Sequence, residues 1–313
     1  MASETLGGGG VAAALAGDPG RRRKERRIRA LFRAAAVTSI VISALIVLSL
    51  AGRALAFLSG VDLGALWHPS GWFPRRGAFD LRTIVACTLL IAGIAMSVAA
   101  PLGLGAAIYL AEYARPGLRR VLKPVIEILA GIPSVVLGFF AITFISPQLV
   151  QRLWPQATFF NMMAAGIAVG ILVTPLVATI AEDALRAVPA SLREAAYGLG
   201  ARKHSTTLRV VLPAAVSGVV AGFIVGLSRA IGETMIVAIA AGATGGSPFT
   251  LNPLEPGQTM TAAMTALAIG SDQVKGAGNA FDSLFFVGLL LFVMTLALNV
   301  LGERFVRRVR ERY

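Results

Sequence analysis

From Ala34 to Phe57 the sequence is predominantly apolar, and five more such stretches follow, near 81–110, 124–145, 162–181, 213–241 and 281–301. Each is long enough to cross a hydrocarbon core of ~30 Å. A chain in such a core has to pair its backbone polar groups within the segment, as an α-helix does. The expectation is therefore an all-α, polytopic membrane protein with six transmembrane helices. Composition agrees: of 313 residues, 56% are hydrophobic and 14% charged, against about a quarter charged in an ordinary soluble domain.

The formal net charge is +13. The bases fall in short runs between the apolar stretches, which is how membrane topology is written, not how a nucleic-acid surface is built. With six spans both termini lie on one side. That side then carries 22 Lys and Arg, the other carries 6, and Arg229 lies within a span. This asymmetry places both termini in the cytoplasm.

The chain divides on this basis into a basic cytoplasmic tail (1–33), a first transmembrane helix (34–57), an extracytoplasmic loop (58–80), a core (81–303) and a second basic tail (304–313). The Gly- and Ala-rich residues 1–20 are read as a flexible tail. The basic run before residue 34 and Ala54-Leu55-Ala56 resemble a signal peptide, but the apolar stretch exceeds the ~7–15 residues of such a segment, so it is read as a retained helix. Trp67, Trp72 and Phe73 in the first loop suit a membrane interface. Within the third stretch Pro133 of Gly131–Ser134 predicts a kinked helix. Residues 242–280, rich in Gly and Pro, are read as a loop. It carries Asn252, Gln258, Asp272 and Lys275, which could face an external protein.

Two features lie on either side of Pro213. Before it is a polar, basic segment; after it is an apolar stretch broken only by Arg229 and Glu233. On one helix, positions i and i+4 share a face, so the two charges can meet. An intramembrane Arg costs roughly 2.5–3.5 kcal/mol on insertion scales, and Glu233 offers compensation. Ser228 and Thr234 add polar groups beside the pair. Guanidinium suits a tetrahedral oxyanion, so Arg229 is a candidate contact for an anionic solute, with Glu233 holding it; the alternative is an ion pair that only fixes packing. Arg229 lies sixteen residues beyond Pro213, about 24 Å along a straight helix.

Glu194-Ala195-Ala196, Gly200, Val210, Leu212 and Pro213 reproduce the pattern EAA-x3-G-x9-I-x-LP with Val for Ile. It resembles the permease subunits of bacterial ABC importers. The resemblance implies a type I permease architecture and a coupling segment at 189–204 that inserts into an ATPase. Pro189 suits a helix start, Ala195 and Ala196 give a low surface, and Gly198 and Gly200 can turn the chain. IYLAEYARPGLRR, IEILAGIPSVVLGFF and LSRAIGETM are similar to phosphate-specific, Pst-type importer permeases, and the last span and long first loop are more like the PstC member than PstA. This implies a place in a prokaryotic inner membrane, a PstA-like second permease, two PstB-like ATPase subunits and a PstS-like phosphate-binding protein outside. It implies a role in phosphate passage for Arg229 and Glu233. Sulfate and molybdate permeases carry the same coupling motif and are the rival reading.

No GxxxxGK[ST] occurs in the sequence, so ATP and Mg would belong to the partner ATPase, and no cofactor is expected on this chain. No HExxH occurs, which disfavours a membrane enzyme of that type, and a secondary transporter would leave the EAA segment without a purpose. The single Cys87 excludes an internal disulfide and a thiolate cluster, and His68 and His204 lack ligand-spaced partners. Glu112 and Glu127 are expected to form surface pairs, and Glu182 and Asp183 to sit on a solvated helix end.

Overall fold

The computed structural model describes residues 19–68, 70–242, 245–269 and 279–309. The glycine-rich tail, Asp272, Lys275 and the last four residues lie outside them. Eleven helices of six residues or more are described: α1 (Pro19–Gly60), α2 (Leu81–Tyr113), α3 (Pro116–Leu129), α4 (Ser134–Leu153), α5 (Met162–Arg186), α6 (Ala190–Gly198), α7 (Lys203–Ala214), α8 (Val216–Ile231), α9 (Met235–Ala240), α10 (Met260–Ala268) and α11 (Asn279–Val309). A two-stranded antiparallel hairpin, β1 (Trp72–Phe73) and β2 (Ala78–Phe79), lies between α1 and α2.

Among the described residues five helices are long and apolar enough to cross a membrane, and the bent pair α7–α8, counted as one span, makes a sixth. Residues 1–52 and 53–313 form separate compact units. In the first, the basic residues from Lys24 onward and the apolar run after them belong to one continuous helix. At the other terminus α11 continues through Arg304 and Arg307 to Val309, so the basic tail begins as helix.

Close helix packing organises the second unit. On α2, Ala95, Ala99, Gly103 and Ala107 recur every four residues and are all buried. Gly166 and Gly170 of α5 approach α2 so closely that an added Cβ would stand 2.6 Å from Ile94 Cγ2 and 2.8 Å from the Ala95 carbonyl oxygen. Gly218, Gly222 and Gly226 of α8 face Ala184, Ile180 and Val177 of α5 in the same way. Lipid is as apolar as these side chains, so helices in a bilayer associate by packing, and small residues at four-residue spacing allow the closest approach.

Buried caps start these helices. Asp80 accepts the Arg82 N–H and the Thr83 hydroxyl, both at 3.0 Å, ahead of α2. Asn161 accepts the Ala164 N–H at 2.7 Å ahead of α5. Side-chain oxygens there satisfy amides that have no partner within the helix.

Four sequence expectations change. The third span starts at Ser134, not Pro124, because α3 ends at Leu129 and the chain turns through Gly131 and Ile132 before Pro133. The fifth stretch is not one helix: it bends by 70° at Ala215 and breaks again at Gly232–Thr234. Trp72 is 1% exposed and packs against Phe79, which in turn meets Phe57, so the first loop is packed into a core shared with α2, α10 and α11 instead of lying wholly at an interface. Residues 242–280 contain α10, and Gln258 is buried, which leaves Asn252 but not Gln258 open to an external protein.

Two substitutions separate close packing from ordinary helix propensity. Gly170→Val is expected to cost about 1–3 kcal/mol through overpacking, while Gly105→Ala, which meets nothing within 4 Å, gains about 0.5–1 kcal/mol. Thermal unfolding of the purified protein in detergent measures both.

Candidate functional site

Helix α8 stops where Gly232 takes the C-cap position, and α9 starts after Thr234. The break leaves amides and carbonyls without helical partners inside an apolar stretch. Glu233, 3% exposed, meets that need. Its Oε1 accepts the N–H groups of Met235 at 3.2 Å and Ile236 at 3.4 Å, capping α9. Its Oε2 accepts from Arg229 Nη1 at 2.7 Å, and its backbone carbonyl accepts from the Thr261 hydroxyl at 2.8 Å.

The expected pair forms, but across a helix break and not along one helix face. Its two members differ in access: the Arg229 side chain is 46% exposed and that of Glu233 only 3%. Glu233 is a fixed anchor, while Arg229 keeps most of its N–H donors directed elsewhere. Ser228, half-buried, donates to Asn299 Oδ1 of α11 at 2.7 Å. Thr234 donates to the Gly232 carbonyl at 3.4 Å. The four residues singled out in the sequence thus sit around one break. Asn299 joins them from seventy residues away, with no local motif to mark it. Because the membrane crossing restarts at Val216, Arg229 stands about 20 Å along α8 instead of 24 Å from Pro213.

The second candidate region is the opposite arm of the same segment. Pro189 precedes α6, and Gly200 ends it with φ +79°, where the Ala201 N–H reaches the Ala196 carbonyl at 3.0 Å and the Gly200 N–H reaches Tyr197 at 2.9 Å. These are the two bonds of a Schellman cap, which calls for glycine at the left-handed position. Gly198 is an ordinary helical residue by comparison. Glu194 and Ala195 face outward, but Ala196 is buried against the body and offers no outer surface. Leu199, which the sequence reading passed over, is 90% exposed at the tip.

Arg193 ties α6 to the spans. It donates from Nε (3.2 Å) and Nη2 (2.8 Å) to Glu112 Oε1, from Nη2 to the Leu185 carbonyl at 2.8 Å, and from Nη1 to Val188 at 2.6 Å. One side chain thereby joins α6 to the ends of α2 and α5. Glu112 is 5% exposed and not a surface pair. Glu182, expected on a solvated helix end, is fully buried: Arg119 of α3 reaches Oε1 at 2.5 Å and Lys123 reaches Oε2 at 3.2 Å. Burial opposes the Lys123 charge, but Asp183 and Glu182 outweigh it and hold the ammonium above the usual lysine range. In each case an acid read from local sequence as solvated is covered by a base distant in the chain. Among the described residues no group of three or more His, Cys, Asp and Glu could hold a metal ion.

Breaking a buried pair strands a charge, at about 3–5 kcal/mol. Arg193→Ala is therefore expected to destabilise the protein by that order, with Glu112→Gln/Arg193→Met recovering part of the loss. A double-mutant cycle of unfolding in detergent measures the coupling.

Residues 99–312 match the family of binding-protein-dependent transport system inner membrane components. The chain is 30% identical over 289 residues to the phosphate transport system permease protein PstC of Xylella fastidiosa strain 9a5c, covering 86% of each. It is 35% identical to PstC 1 of Mycobacterium tuberculosis, covering 77% of this chain and 75% of that one. A bacterial alginate ABC transporter solved with its pentasaccharide-bound periplasmic protein is similar in fold, with a TM-score of 0.64 at 16% identity over 92% of this chain and 98% of that one. The MetNI methionine ABC transporter gives a TM-score of 0.54 at 20% identity, over 74% and 96%. The described residues are predominantly helical, and the chain has the fold of ABC importer permeases and belongs to the family of inner membrane components of binding-protein-dependent transport systems.

Proposed function

We propose that this chain is the membrane-spanning permease subunit of an ATP-driven phosphate importer, the PstC-like member of its pair. The observation that carries the pathway reading is Arg229: a guanidinium held by a buried carboxylate at a helix break, yet 46% exposed. Such a group can meet a tetrahedral oxyanion without moving its anchor, since it keeps donors beyond the one used on Glu233. The relatives' names supply the choice of phosphate.

In this reading a phosphate-binding protein delivers the anion from outside. Arg229 receives it, with Ser228 and Thr234 alongside, and Glu233 keeps the guanidinium in place between encounters. A PstA-like permease completes the pathway. Two PstB-like ATPase subunits bind ATP and Mg, and this chain binds neither. On its side α6 seats in an ATPase groove through Glu194, Ala195 and Leu199, while Arg193 passes movement of α6 to α2 and α5. Both termini face the cytoplasm, on the strength of the charge asymmetry.

Uptake of radiolabelled phosphate in cells lacking the gene tests the substrate. The wild-type chain is expected to restore uptake that unlabelled phosphate suppresses and sulfate or molybdate does not; carriage of a competitor instead would overturn the choice of phosphate. Arg229→Ala is expected to insert normally and to lose at least ~10-fold in uptake, since a charged hydrogen bond contributes about 1.5–3 kcal/mol. Leu199→Asp tests docking: the permease is expected to reach the membrane at normal levels while the ATPase fails to co-purify.

A further inference from the structure

The ends of α2 and α5, one face of α3 and Arg193 of α6 line an open cleft of about 850 Å3, on the side of the protein that carries α6 and away from Arg229. Its charged lining is Arg119, Arg120, Lys123, Arg186, Arg193 and a single acid, Glu127. The charges are sorted by depth. Glu182 and Glu112, which hold three of these bases, are 1% and 5% exposed, whereas Arg119 and Lys123 are each 27% exposed, Arg193 20% and Arg186 45%. Carboxylates form the back of the wall and cations its face.

Buried carboxylates orient Arg119, Lys123 and Arg193, while Arg120 and Arg186 stand open without a close pair. Arg119 spends Nε and Nη2 on Glu182 and keeps Nη1. Arg186 approaches Glu182 no closer than 4.0 Å, and Arg120 has no ion pair among the described residues. Arg193 has little left to donate and adds mainly its field. Fixed guanidinium forks with spare N–H groups suit a phosphate group better than a carboxylate-lined or mobile lysine surface does, because less side-chain freedom is lost on binding.

The neighbouring surface adds a second observation. No residue of α3 is buried, and Val121, Val125 and Ile128 are 61%, 48% and 70% exposed, while Arg119 and Lys123 turn inward to Glu182. A helix with basic residues on one face and bare apolar residues on the other lies in the plane of a membrane interface, at the level of lipid headgroups.

We infer that this cleft is a phosphate-group binding site, with Arg120, Arg186, Arg119 and Lys123 as its donors and Glu127 as its one repulsive member. Two sources share that chemistry: the headgroup of an anionic phospholipid and inorganic phosphate. The site is independent of the transport reading, since none of its residues touches the Arg229–Glu233 break.

The test uses the full chain in nanodiscs. In one arm, native mass spectrometry after detergent release compares retained phosphatidylglycerol with phosphatidylcholine. In the other, equilibrium dialysis measures radiolabelled inorganic phosphate on protein in phosphatidylcholine discs. Arg120→Gln/Arg186→Gln, which breaks no close ion pair, is expected to weaken the bound probe about tenfold or more, and Glu127→Gln to strengthen it. Retained phosphatidylglycerol identifies the lipid as the source, and bound inorganic phosphate identifies the free anion. The inference is overturned if the wild type holds neither probe or if both cleft variants bind as it does. Should the double variant fold poorly, the gain expected of Glu127→Gln decides.

Discussion

The Glu233 carboxylate carries the part of the structure on which the rest depends. A break inside a membrane helix exposes backbone groups that an apolar surrounding cannot satisfy. One buried side chain answers from both oxygens, taking two amides of α9 on Oε1 and Arg229 on Oε2. The break in turn gives Arg229 its character. On an unbroken helix the pair would share one face and tend to neutralise each other; here the acid is enclosed and the base stands partly clear. The close packing of α2, α5 and α8 supplies the frame, since Gly218, Gly222 and Gly226 hold α8 against α5 up to the turn before the break.

The same arrangement recurs at the end of the bundle that carries α6. Glu112 and Glu182 are sealed, and each is answered by bases that remain partly open. A buried ion pair is weak support for stability by itself, because desolvation offsets most of its attraction. Its value here is positional: Arg193 ties α6 to α2 and α5, and Arg119 and Lys123 hold α3 to α5 although α3 buries no side chain of its own. Substitution of one member would therefore disturb geometry well beyond the contact removed.

Much of this was legible in the sequence. Length and hydropathy give the helices, since a long apolar run admits one backbone solution, and the EAA spacing places α6 because its terminal glycine answers a local demand for a left-handed residue. The four-residue spacing puts Arg229 and Glu233 together. What escaped is non-local. Nothing near Glu182 announces that Arg119 covers it, and nothing near Ser228 points to Asn299. The break after Ile231 is hidden because Gly232, Glu233 and Thr234 are all tolerated within a helix. Pro124 looks like the boundary of the third span, whereas α3 carries it in its interior and stops only at the turn before Pro133.

In the proposed pathway a positive charge at position 229, and not only an intact ion pair, carries an anion through the membrane. Charge replacement tests it directly: Arg229→Cys, with buried Cys87 changed to Ser, assayed for phosphate uptake before and after methanethiosulfonate labelling. The expected result is an inserted but inactive protein that regains uptake with the cationic aminoethyl reagent and not with the anionic sulfonatoethyl reagent. Full uptake by the unlabelled Cys variant, or equal recovery with both reagents, would contradict it and leave Arg229 as a packing residue.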